Sequence, residues 1–160
     1  VIKGRDLMKD IWISEITGNK GVRLCFSKGF DSELKSEICA FVRWIRRKYR
    51  FPVRLKMYVK FEPYVVSYLS EEKVSATIFL PDDKTDSPFA QISVGNYIGR
   101  AENDRFNAVC DILYDITSMI THYFQWLNDE TNCGELSSRQ AHQKARRVVY
   151  KYIDSGGVAY

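Results

Sequence analysis

Two histidines and four cysteines hold most of the metal-binding and nucleophilic capacity of this chain: His122, His142, Cys25, Cys39, Cys110 and Cys133. A structural zinc site needs four Cys or His ligands at tight spacings, and no CxxC pair or His cluster provides them. No serine stands in a Gly-x-Ser-x-Gly elbow, so a nucleophile held for acyl transfer has no visible setting. Asp111, Asp115, Ser118 and His122 do recur at i, i+4, i+7 and i+11, which lines them along one face of a helix. Asp115 and His122 are two turns apart there, about 10 Å along the axis, beyond hydrogen-bond reach. On residue types alone, His122 is an ordinary polar residue of a helix.

The elements that must position these residues follow from periodicity. Phe106, Val109, Cys110, Leu113, Thr117, Ile120, Phe124 and Leu127 form a continuous stripe, which predicts a helix from roughly Asn103 to Asn128. Ile116, Met119, Tyr123 and Trp126 fill its flanks, so it should be covered on more than one side. Ser137 or Ser138 can cap a last helix with the stripe Ala141, Ala145, Val148, Val149 and Tyr152, ending at Gly156-Gly157. Upstream, Asp31 or Ser32 can cap a helix carrying Leu34, Ile38, Phe41, Val42 and Ile45, stopped by Phe51-Pro52. Val53, Leu55, Met57, Val59 and Phe61 alternate with polar residues and predict a half-buried strand. Tyr64 to Leu69, Val74 to Leu80 and Ala90 to Gly95 supply further strands. Ile11–Thr17 and Val22–Phe26, joined by Gly18-Asn19-Lys20-Gly21, read as a hairpin. The expected class is α+β: one domain over 1–160, with a hairpin extension at 1–28 and a core at 30–154.

The segment Leu113 to Trp126 resembles the active-site helix of small zincin-type metallopeptidases. These carry a His-Glu-x-x-His motif that is often followed by Tyr-x-Gln-Trp. His122 matches the second His, and Tyr123, Gln125 and Trp126 match the aromatic run. Ser118 stands where the first His belongs, and Met119 where the general-base Glu belongs. Ser138, in the segment Ser138-Arg139-Gln140-Ala141, fills the place of the third ligand, with Arg139 the next alignment. The resemblance covers about residues 30 to 154. It implies a zincin-like mixed or antiparallel sheet with a packed N-terminal helix, a long active-site-type helix and a C-terminal helix.

The chemistry gives those departures their meaning. Two histidines four apart can both reach a zinc ion, and the Glu between them takes a proton from the metal-bound water. One of three ligands survives here, and the base is gone. A hydroxyl is a poor zinc ligand, and a thioether prefers softer metals. No catalytic residues and no zinc cofactor are therefore expected, and Ser118, Met119, His122 and Ser138 read as vestigial positions. A rebuilt site from His122, His142 and Cys133 is the alternative. The resemblance also implies a groove, with Gln91, Ser93, Tyr123 and Trp126 as binding residues. The strand Gln91 to Val94 would pair there with an extended partner.

Composition sets the remaining bounds. With 45% hydrophobic and 14% aromatic residues, the chain can bury enough apolar surface to offset chain entropy. No stretch approaches the roughly 18–20 apolar residues of a membrane span. Residues Val1 to Arg5 show neither an apolar h-region nor a cleavage motif. Scattered cysteines suit buried free thiols, so the expected compartment is the cytoplasm. The net charge is +4, with basic residues crowded at Arg43, Arg46, Arg47, Lys48, Arg50, Arg54 and Lys56. These expectations describe an inactive zincin-like binding module with a protein or peptide partner. The alternatives are a divergent zinc peptidase and a nucleic-acid binder using the 43–60 basic stretch.

Overall fold

A computed structural model describes the backbone of residues 19–129 and 135–158, and the side chains of all of these except 135–138. The elements run β1 (Val22–Phe26), α1 (Ser32–Lys48), β2 (Leu55–Lys60), β3 (Val65–Val66), β4 (Lys73–Val74), β5 (Ala76–Phe79), β6 (Phe89–Ser93), α2 (Tyr97–Leu127) and α3 (Glu135–Asp154). The class is α+β, with a mixed sheet and three helices among the described residues.

Helix α1 starts where the sequence places it. The Asp31 carboxylate accepts from the Leu34 amide at 2.9 Å, satisfying one of the helix's orphan donors. Arg46, Arg47 and Lys48 occupy the last turn, where their charges suit the negative end of the helix dipole. Leu34, Ile38, Phe41, Val42 and Ile45 are all buried, at about 1.5–3 kcal/mol for each large side chain.

The main sheet has the order β1-β2-β6-β5, and a separate pair joins β3 to β4. β1, β2 and β6 are parallel, and β5 is antiparallel on β6. Val22–Phe26 thus pairs with β2, in parallel, and is not only a return strand. The other half of the predicted hairpin, Ile11–Thr17, lies outside the described residues. Two of the turn residues are tied to the segment after α1: Lys20 N donates to Phe51 O at 2.7 Å, and Phe51 N donates to Asn19 Oδ1 at 3.1 Å.

All three helices lie on one side of this sheet. Leu55, Met57 and Val59 of β2 and Ala90 and Ile92 of β6 point into the same core as the buried stripes of α1 and α2. α1 packs on β1, α2 runs beneath β5 and β6, and α3 lies along α2. α3 also closes on α1, because the Tyr152 ring meets Phe41 and Trp44 edge-on at 4.8 and 5.2 Å.

α2 is two helices merged at a kink. Asp104 has non-helical angles (φ −154°, ψ 78°) and its carboxylate accepts from the Asn107 amide at 3.1 Å. Asp104 therefore caps the long helix predicted from about Asn103, and additional helical turns precede it from Tyr97. The connection from β6 into these turns is pinned at Gly95, where a Cβ would lie 2.4 Å from the Glu62 carbonyl carbon. α3 begins at Glu135, so Ser137 and Ser138 fall inside its first turn rather than before it. Its far end closes as expected: Gly156 (φ +84°) and Gly157 donate to Ile153 O and Tyr152 O at 2.9 and 3.0 Å. No helix among the described residues is long and apolar enough to cross a membrane.

Candidate functional site

The middle of α2 carries the predicted vestigial residues. Ser118 is only 6% exposed, and its hydroxyl donates to the Tyr114 carbonyl at 3.0 Å. Thr117 and Thr121 do the same to Leu113 and Thr117 at 2.7 and 2.9 Å, so this helix satisfies its hydroxyls on its own backbone. Met119 is half-buried and packs against the core. The Ser138 side chain lies outside the described residues, as does Cys133.

His122 is half-buried, with Nδ1 3.0 Å from Gln125 Oε1. An amide oxygen only accepts, so Nδ1 carries the proton and Nε2 the lone pair. Burial holds the imidazole below its ordinary pKa, the Gln125 bond opposes this, and the charge of His142 adds to it. The ring is therefore neutral at pH 7.

Across the helix pair, His142 of α3 meets α2 directly. Its Nδ1 is 2.8 Å from Tyr114 Oη, its carbonyl accepts from the same hydroxyl at 3.2 Å, and the two rings stack at 5.7 Å. They form one wall of a groove of about 390 Å³ between α2 and α3, also lined by Phe106, Cys110, Arg146 and Tyr150. Asp115 lines a separate, smaller pocket of about 110 Å³ with Ser75, Ser93 and Arg100. Burial raises its carboxyl to about 6; a hydrogen bond from Ser75 pulls it down, Asp111 pushes it up and His142 pulls it down. The folded chain thus binds this proton more tightly than the unfolded chain, whose Asp titrates near 3.9. Stability from this group is full below about pH 4 and is lost as pH rises to 6. Above that, the ionised carboxylate is carried at a cost. Asp115→Asn should therefore stabilise the protein by roughly 1–3 kcal/mol at pH 7.5, with the gain vanishing at pH 4. Urea melts at the two pH values check this, and equal midpoints for variant and wild type at pH 7.5 would refute it.

A zinc ion does not fit these residues. Among the described residues, no three His, Cys, Asp or Glu side chains gather as a cage. The Ser118 oxygen is already bonded to a helix carbonyl. His122 and His142 are close enough to sense each other's charge, but the third member of the alternative set, Cys133, is not described. Cys25, Cys39 and Cys110 are free and half-buried rather than buried. Burial pushes the Cys110 thiol up to about 11, which removes its thiolate at neutral pH.

The predicted groove residues fare differently. Tyr123 is 0% exposed, and its hydroxyl bridges Val53, accepting from N at 3.1 Å and donating to O. Trp126 is 5% exposed and donates through Nε1 to Pro81 O at 2.7 Å. Both are core residues, placed there because their apolar bodies are buried while their polar tips find backbone partners. β6 is not an edge either: it is flanked by β2 and β5, and Ser93 N is bonded to Ser75 O at 2.8 Å. Strand addition at Gln91–Val94 is therefore blocked, and the outer strand on that side is β5. Ser93 Oγ donates to Ser75 O at 3.1 Å, and Gln91 Nε2 donates to Tyr68 Oη at 2.6 Å.

The 43–60 basic stretch is not one surface. Arg43, Arg46 and Arg47 face solvent from α1, in the helix layer. Arg54, Lys56 and Lys60 alternate with buried Leu55, Met57 and Val59 and so emerge on the opposite face of the sheet.

Sequence reasoning missed two arrangements. The Tyr114–His142 contact joins positions 28 apart, which periodicity cannot relate. The aromatic residues Tyr58, Tyr68, Phe79 and Phe89 come together only through strand order. Comparison with protein-family models, with curated proteins and with solved structures finds no match to this chain.

Proposed function

We propose that this chain is a zincin-type domain whose metal centre has been dismantled, and that it acts by binding a protein partner rather than by cleaving one. The observation that carries this reading is the setting of Ser118. It aligns, by the resemblance, with the first ligand and lies on a long helix that runs beneath a mixed sheet with an antiparallel outer strand, and its oxygen is committed to the Tyr114 carbonyl. A helix so placed supports the zincin-type alignment, and a position so filled supports the loss of chemistry. Fold alone does not fix function, so the weight rests on that position.

The partner this shape suits is an extended peptide that adds to β5. That strand is paired only with β6 among the described strands, and its main-chain groups on the other side can serve an incoming strand. No metal is needed for that mode.

Protein purified from zinc-replete culture should carry well under one zinc per chain by mass spectrometry and should cleave no peptide in a metal-dependent way. A stoichiometric, chelator-sensitive zinc or a metal-dependent peptidase activity would overturn the reading.

A further inference from the structure

Among the described residues, the sheet face opposite the helices is covered only at its β5–β6 end, where Tyr68 lies on Phe79 and Phe89 and Thr77 is buried. Parallel strands are normally covered on both sides, yet no described helix lies over this one. The strand register places Arg23 beside Lys56, Lys56 beside Phe89, and Phe89 beside Phe79. Two residues along, Cys25, Tyr58, Gln91 and Thr77 form the next row. Lys60 follows on β2, about 13 Å from Lys56 along the strand.

The aromatic rings of this face touch one another. Phe79 and Phe89 stack at 5.0 Å with 26° between their planes, and Tyr58 and Tyr68 meet Phe89 edge-on at 6.5 and 5.4 Å. They are also wet: Tyr58 is 37% and Phe79 42% exposed. A shallow groove of about 740 Å³ runs over Tyr58 and Phe89, lined also by Lys56, Lys60, Gln91 and the 85–87 loop. Asp86 in that loop is its one carboxylate among the described lining residues.

From this we infer that this sheet face binds single-stranded nucleic acid. The occupant follows from the chemistry. Arg23, Lys56 and Lys60 supply cations on the same face as the rings, and cations suit a phosphate backbone. Exposed rings between them offer surfaces on which unpaired bases stack whatever their sequence. An acidic peptide would use the cations and leave the rings idle, and a duplex keeps its bases stacked on each other. This face is separate from the outer edge of β5, so the inference stands whether or not a peptide adds there.

Fluorescence anisotropy of the full chain with labelled dT12 and U12, at 50 and 200 mM salt, tests it. Binding should appear at 50 mM and weaken steeply with salt. Tyr58→Ala with Phe89→Ala should cost tenfold or more in affinity, since stacking contributes about that much per base. Lys56→Gln with Lys60→Gln should lower the slope of log affinity against log salt by about 1.4, or about 0.7 per phosphate contact. Tyr58→Leu keeps the apolar bulk and removes the ring, so it reads the same effect if the double alanine variant does not fold. Absence of binding at 50 mM salt overturns the inference. So does affinity unchanged in the aromatic variants, or equally tight and ring-independent binding of heparin, which has charge but no bases.

Discussion

Replacing Ser118 by His, Met119 by Glu and Ser138 by Glu in one chain should tighten zinc binding by about two orders of magnitude or more over the wild type. Positions 118 and 122 are four apart on α2, about 6 Å along the axis, so two imidazoles there share one face. His122 already has its Nδ1 proton held by Gln125 at 3.0 Å, which points the Nε2 lone pair away from that bond. Such an outer partner is what a zinc-binding imidazole normally has. The substitution at 118 must displace a small, buried side chain, so overpacking of order 1–3 kcal/mol accompanies it. Circular dichroism on Ser118→His alone separates that loss of stability from the gain in affinity. A triple variant that folds like the wild type and takes up no zinc in a competition titration would show the zincin-type alignment to be wrong.

How much of this could be read in advance depends on how local the cause is. Helix α1 and strand β2 follow from periods of 3.6 and 2 in their own residues, and the Asp31 cap from its own side chain. Partner choice between strands is not local. Gly18-Asn19-Lys20-Gly21 carries a turn signal that holds whichever strand pairs with β1, so the parallel pairing with β2 was invisible. The position of β6 inside the sheet was hidden for the same reason, and with it the true outer strand. At the candidate site, the shared face of Ser118 and His122 on α2 was legible because helical spacing sets it. The fate of the aromatic run was not. Tyr123 and Trp126 carry polar tips that suit a groove as well as a core, and the deciding partners, Val53 and Pro81, are 70 and 45 residues away.

Tyr123→Phe decides that last point and should be the most damaging single-atom change in the chain. The phenol joins α2 to the segment before β2 through both backbone groups of Val53, which is itself buried. Removing the oxygen leaves a buried N–H and a buried C=O without their partner, at about 1–3 kcal/mol each. The expected loss is about 2–6 kcal/mol, read as a lower urea midpoint at unchanged slope. For a chain of this size that is a fall in Tm of roughly 5–25 °C. Burial raises the Tyr123 hydroxyl well above its ordinary pKa of 10, so it stays protonated when folded. The loss should accordingly be constant from pH 6 to 9. A tyrosine lining a solvent-filled groove would behave otherwise, because water would replace the missing hydroxyl. A stability change below about 0.5 kcal/mol would therefore return Tyr123 to the groove and reopen it as a contact for a partner.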